Sequence, residues 1–427
     1  MSLPKIYKGC INSAASLSDR VRTSRMAQQA ILLLGINTLA KGLTFFGIAY
    51  AAKCLGPKNL GVSAIILSLG QLIVVIVGGG LETVAVRRIA ANPAGSLGIT
   101  RQIVAYRAKI SMVLLPVTLL IAIWLAPREQ TFAWCCGSII AISSTFNLMF
   151  LFQGLEKLPL YGTVSLFSSI FSALAFFSFK PGMVMGSDLV VLAISGLLSV
   201  MINTLIMKRI SSAGIGRVTD VDIKSLLLES RPYWTLGLVV FCYSNLQIPL
   251  VGYMADEESV GVYRSAVMLA AGLDLIYSSV NSLLLPRLVA WKEFGAAYLW
   301  RRQIELVKIY FVAGFAVSCL MILTAPLVYR YILGVEFNGA VLPFQILVIG
   351  RMVVFVGQVF AWSLSALKLD RAFLKASLAG AGFSLVANAI LVPSFGIVAA
   401  ALVSVFAEIL VHGMCYYFVR RYTLNKN

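Results

Sequence analysis

The chain has 427 residues, of which 59% are hydrophobic and only 12% charged, with a formal net charge of +18. That charged share is about half of what an ordinary soluble domain carries, and a fold of this composition in water would expose far too much apolar surface. A soluble enzyme is excluded, and lipid is the solvent that fits. Backbone groups in lipid must be satisfied within the spanning segment, which leaves helices or closed barrels. The apolar runs are about 20 residues long rather than short and alternating, so the expected class is an all-α membrane protein.

Residues 1–25 are polar and basic, with Lys5, Lys8, Arg20, Arg22 and Arg25. The apolar stretch that follows is long enough to span and lacks a small-residue cleavage pattern, so this region reads as a cytoplasmic tail or an interfacial helix rather than a cleaved signal. Apolar runs then fall at 28–54, 62–86, 103–126, 131–153, 160–180, 187–208, 233–254, 262–289, 304–325, 341–366, 373–392 and 397–419. Each can cross a hydrocarbon core of about 30 Å, giving about twelve spans. Short connectors carry turn residues, as in GPKNLG at 56–61 and VPSFG at 392–396. Gly78-Gly79-Gly80 lies inside an apolar run and lacks the GxxxxGK[ST] pattern, so it reads as a flexible point or a close helix contact, not a phosphate loop. Of the seven cysteines, Cys54, Cys135, Cys136, Cys242, Cys319 and Cys415 lie in or beside apolar segments, and none forms a CxxC pair. They read as small packing residues, and the lone His412 as a packing residue rather than a proton relay. No metal or cofactor is expected.

Orientation follows from the lysine and arginine distribution. With the N-terminus inside, about 26 of the 35 basic residues fall on cytoplasmic segments. The opposite side holds Lys53, Lys58, Arg128, Lys180, Arg264 and Arg330, while Lys41, Lys109 and Arg351 lie deeper. Both termini are therefore placed in the cytoplasm. The positive charge is a topology signal that requires no nucleic-acid partner.

The longest polar connector splits the chain into a tail (1–25), an N-lobe (26–208), a cytoplasmic linker (209–232), a C-lobe (233–419) and a C-terminal tail (420–427). The lobes are weakly similar. Gly61-Val62 and Gly261-Val262 each open the second span of their half, and Phe152–Ser172 aligns with Leu364–Ser384. An even number of spans per half gives the copies the same orientation, with a pseudo-twofold axis along the membrane normal and a substrate path between the lobes.

The chain resembles the Wzx-type polysaccharide (O-antigen and related) flippases of the multidrug/oligosaccharidyl-lipid/polysaccharide exporter superfamily. The resemblance is carried by GPKNLG at 56–61, FQGLEK at 152–157, ADEESVGVYRSAVML at 255–269, LLLPRL at 283–288, GVEFNGAVLPFQIL at 334–347 and NAILVPSFGIVAAAL at 388–402. It implies a MATE-like fold of twelve helices in two six-helix lobes around a central cavity, working by alternating access in the bacterial inner membrane. It also implies an oligosaccharide on an undecaprenyl-diphosphate lipid as substrate. Membrane lipids and other polysaccharide assembly proteins are the expected partners.

A charge near mid-membrane costs about 2.5–3.5 kcal/mol and should face a cavity or a partner. Lys41, Asp274, Arg351 and Glu408 lie near mid-depth in the first, eighth, tenth and twelfth spans. Asn37, Lys41 and Thr44 share one helix face; in this family the first helix of each lobe lines the cavity, so Lys41 would offer a mobile cation to a diphosphate or acidic sugar, or else pair with an internal carboxylate or stand solvated in the cavity. Asp274, on another cavity-flanking helix, is a charge partner or a protonatable coupling site. Arg351 and Glu408 read as a salt bridge within the second lobe, or else as a phosphate ligand and a free titrating carboxylate. Asn245 and Gln247, ahead of Pro249, suit sugar hydroxyls or hydrogen bonds between helices. Arg87, Arg88, Arg231 and Arg287 form a cationic cytoplasmic entrance.

Three alternatives stand beside the flippase. A cation-coupled multidrug exporter would favour acidic and aromatic cavities, and a polymerase or ligase would need a sizeable periplasmic loop. A lipid II flippase would carry additional helices.

Overall fold

In the computed structural model, residues 5–155, 157–212, 222–281, 284–367 and 369–424 are described. Side chains of the first helix are described from Gly42 onward, and at Leu39. Among these residues every regular element is helical. In chain order they are α1 (Lys5–Gly78), α2 (Leu81–Ala91), α3 (Ser96–Leu125), α4 (Thr131–Thr145), α5 (Met149–Gly154), α6 (Leu158–Phe177), α7 (Ser187–Ser212) and α8 (Ile223–Ser244). They continue with α9 (Gln247–Met254), α10 (Glu257–Asn281), α11 (Leu284–Glu293), α12 (Ala296–Val328), α13 (Val341–Ala366) and α14 (Asp370–Leu424).

Seven stretches among the described residues are long and apolar enough to cross a membrane, or eight if the bent pair α8–α9 is one crossing. Two of them, in α1 and α14, contain sharp breaks, and the whole succession is consistent with twelve passes. Here the structure tightens the expected connectors. GPKNLG is not a loop: the turn is made by Gly56 alone (φ 76°, ψ 168°), with Pro57 opening the next helical segment, and Gly396 (φ 59°, ψ −144°) does the same in α14. Glycine reaches positive φ without a Cβ clash, and proline is tolerated in a first helical turn, where its missing N–H costs nothing. The expected tail is helical from Lys5, continuous with the first span, and much of the polar linker extends α7 and α8. The bend between α8 and α9 falls at Asn245–Leu246, four residues before Pro249, where the proline ring would strike the preceding carbonyl.

The apolar residues point outward as well as inward. Trp124 is 81% exposed, and Met112, Leu125, Phe311, Leu323 and Phe395 are also open. In water these would be aggregation sites; around a bundle whose backbone is internally bonded they form the lipid-facing surface.

Two close approaches between chain halves fix the architecture. A Cβ on Gly61 would lie 1.8 Å from the Glu257 carbonyl oxygen, and one on Gly261 would lie 1.7 Å from that of Pro57. The two glycines that sequence comparison of the halves paired thus face each other, and only a residue without a side chain lets α1 and α10 meet backbone to backbone. Farther along, Gly79 (φ 57°) and Gly80 (φ 68°) end α1. A Cβ on Gly80 would sit 2.6 Å from the Trp234 nitrogen of α8, so the triple glycine is both a helix break and a close contact.

Candidate functional site

The C-terminal half contains a cavity of ≈ 240 Å³ between α8, α13 and α14. From α13 it takes Val354, Gln358, Ala361, Trp362 and Ser365, a stripe at helical spacing that continues the face bearing Arg351 one turn earlier. Tyr243 of α8 closes one side, and Glu408 and His412 of α14 close another. His412 can lie there because α13 presents Gly357: a Cβ at that position would be 2.2 Å from the imidazole. The ring Nδ1 is 2.9 Å from the Glu408 carbonyl oxygen and 3.5 Å from its carboxylate. The wall combines an aromatic platform, an amide, a hydroxyl and a carboxylate–imidazole pair, groups that stack on sugar rings and bond their hydroxyls.

Arg351 corrects one sequence expectation. Its guanidinium bridges to Asp274 of α10 at 3.4 Å, and Glu408 pairs with His412 one turn along its own helix. The expected Arg351–Glu408 salt bridge is absent from the ion pairs of the described residues. Arg351 and Asp274 still lie within electrostatic range of Glu408, so the three groups form one charged neighbourhood. Depth along the span is shared by all three; the rotation of α13 turns Arg351 toward α10.

The remaining sequence candidates separate. The side chains of Lys41 and Asn37 lie outside the described residues. Thr44 is half-buried and engaged. Asn245 caps α8 and donates to the Ser244 hydroxyl at 3.0 Å. Gln247 is buried and committed to α14: its amide donates to the Asn388 side chain at 3.4 Å and to the Ala400 carbonyl, and its oxygen accepts from Ser404 at 3.2 Å.

Of the arginines expected at an entrance, Arg88 bridges to Glu229 at 2.7 Å and donates to Ser225, while Arg87 stacks 5.1 Å over the Tyr233 ring. Both contacts tie α2 to α8 across the halves. Arg231 and Arg287 are exposed.

Two clusters escaped sequence reasoning. Arg107, treated there only as a topology charge, is fully buried; it bridges to Glu82 at 3.0 Å, donates to the Asn147 carbonyl at 3.2 Å and faces the Phe150 ring. Asp188, at the start of α7, is buried and accepts from Ser63 at 2.9 Å, and Arg264 of α10 lines the same small cavity. The signal for Asp188 was a carboxylate one residue inside an apolar run; for Arg107 there was none beyond its charge.

The folded chain superposes on known transporters. An inward-facing multidrug resistance MATE family transporter of the MOP superfamily matches with TM-score 0.66 at 14% identity, over 93% of this chain and 98% of that one. A Vibrio cholerae MATE transporter, VcmN, matches with TM-score 0.65 at 13% identity, over 95% and 98%. The lipid II flippase MurJ in an inward closed conformation matches with TM-score 0.64 at 15% identity, over 94% and 87%. No curated protein sequence matches the chain. The sequence profile of the polysaccharide biosynthesis protein family matches residues 26–291, the larger part of the chain. The chain belongs to the polysaccharide biosynthesis protein family, and it carries the membrane fold that MATE transporters and MurJ share.

Proposed function

We propose that this protein is a flippase that moves an undecaprenyl-diphosphate-linked oligosaccharide, an O-antigen or other surface polysaccharide repeat unit, from the cytoplasmic to the periplasmic leaflet of the bacterial inner membrane by alternating access. Membership of the polysaccharide biosynthesis family carries this reading. The fold supports it, because its neighbours include a lipid II flippase as well as multidrug transporters. So does the C-terminal cavity, where Trp362, Tyr243 and Gln358 offer sugar contacts, with Arg351 one turn from its wall on α13. A diphosphate would compete with Asp274 for the guanidinium, whose planar donors match phosphate oxygens in pairs. Substrate arrival would thereby release a carboxylate on α10, linking cargo binding to a charge rearrangement between helices.

With both termini in the cytoplasm, the Gly61–Gly261 contact lies toward the periplasm, and the described state is closed there. The test is deletion of the gene followed by analysis of lipid-linked intermediates. Undecaprenyl-diphosphate oligosaccharide should accumulate on the cytoplasmic face and be cleared by the wild-type gene. Normal glycan export in the deletion strain would refute the reading.

A further inference from the structure

A second cavity, of ≈ 290 Å³, lies within the N-terminal half between α4, α6 and α7. Its chemistry differs from that of the C-terminal site. Among the described residues no ionisable side chain lines it; its polar wall comes from Ser143, Ser144, Asn147, Ser168, Ser195, Ser199 and Asn203. Ser143 and Ser144 donate to the Ile140 carbonyl at 3.0 and 2.8 Å, Ser195 to Leu192 at 3.0 Å, and Ser168 to the Ser195 carbonyl at 3.3 Å. With these hydrogens directed into backbone carbonyls, the oxygens keep lone pairs for other donors. Asn203 is only 2% exposed, and among the described residues its Oδ1 has no hydrogen-bond partner. A buried acceptor left unpaired costs about 1–3 kcal/mol, so a ligand that donates to it is favoured.

We infer that this cavity is a binding site for a neutral sugar ring, separate from the charged site in the C-terminal half. A wall rich in acceptors and free of charge suits a polyol, whose hydroxyls donate in several directions. It does not suit a phosphate, which would find no cation, or a lipid tail, which would leave the Asn203 Oδ1 unpaired. The inference rests on the flippase reading and adds to it: the diphosphate end and one neutral residue of the glycan are held by different halves of the protein.

The experiment uses the full chain in lipid nanodiscs, with saturation-transfer NMR from the methyl glycosides of glucose, galactose, mannose and N-acetylglucosamine. At least one neutral glycoside should receive saturation from the wild type, whereas methyl glucuronide should not. Asn203→Leu and Ser199→Val should each weaken that binding about tenfold, the size of one lost hydrogen bond, while Gly382→Ala should leave it unchanged. Should Asn203→Leu lower membrane abundance, Ser199→Val decides. Absence of transfer to every neutral glycoside, or transfer that survives both substitutions, overturns the site. The same variants are placed in the deletion strain. If the wild-type gene does not clear the accumulated lipid-linked oligosaccharide, the flippase reading fails. If both the wild type and a normally abundant Asn203→Leu clear it at equal rates, only the cavity assignment fails.

Discussion

The contact between Gly61 and Gly261 permits a sharp perturbation. In Gly61→Ala the added methyl carbon would stand 1.8 Å from the Glu257 carbonyl oxygen, and real Cβ atoms essentially never come within 3.0 Å of a neighbour. The obstacle is backbone, which cannot rotate aside, so α1 and α10 must separate by more than 1 Å. Overpacking of this kind costs about 1–3 kcal/mol, and the cost falls only on the state in which the halves touch. The closed population should drop roughly 5- to 150-fold relative to the state open at that end. The assay is double electron–electron resonance between spin labels at two exposed positions near this end, Arg128→Cys and Val335→Cys, in a background without native cysteines. Gly61→Ala should lengthen the distance distribution by several ångströms and slow export. Gly382→Ala serves as the control, because nothing lies within 4 Å of its added carbon. An unchanged distance distribution in Gly61→Ala, with normal export, would refute the view that this glycine pair holds the halves together.

Other expectations follow from the site. The Arg351–Asp274 bridge is only partly buried, with side-chain exposures of 28% and 44%, so Arg351→Ala should keep normal membrane abundance while abolishing export; a fully active variant would remove Arg351 from substrate binding. Gly357→Ala should drive a methyl into the His412 ring and lower thermal stability by about 1–3 kcal/mol, and Gly357→Ala/His412→Ala should recover it; a double variant no more stable than the single would refute the packing role. Lys41→Ala is expected to eliminate export at unchanged protein level, and Lys41→Arg to retain part of it, because charge matters more than shape for a mobile anion ligand. A reporter active only in the cytoplasm should work when fused after Lys224 or at Asn427 and stay silent after Glu257 or Phe395; activity at Glu257 would break the assigned topology.

Composition and periodicity alone determined the class of protein, its helical construction and the turns at Gly56 and Gly396. Apolar runs of spanning length admit little else in lipid, and glycines at Gly56, Gly80 and Gly396 sit where the chain takes positive φ. Gly61 and Gly261, paired in the sequence by position, meet in the structure: each lets its helix run against the other's backbone. The partners of the buried charges were not legible. Counting residues gives depth in the membrane, one coordinate of three, and at a single depth Arg351 had two carboxylates within reach. Only the rotation and packing of α13 against α10 decided that Arg351 meets Asp274, whereas Glu408 meets His412 one turn along α14, a local spacing the sequence already carries. The same holds for Gln247, whose polar side chain reads equally as a sugar ligand or a helix clasp until α14 brings Asn388, Ala400 and Ser404 against it. Serines scattered over α4, α6 and α7 have no motif, and they become a continuous hydroxyl-lined wall only when three helices turn those faces toward one space.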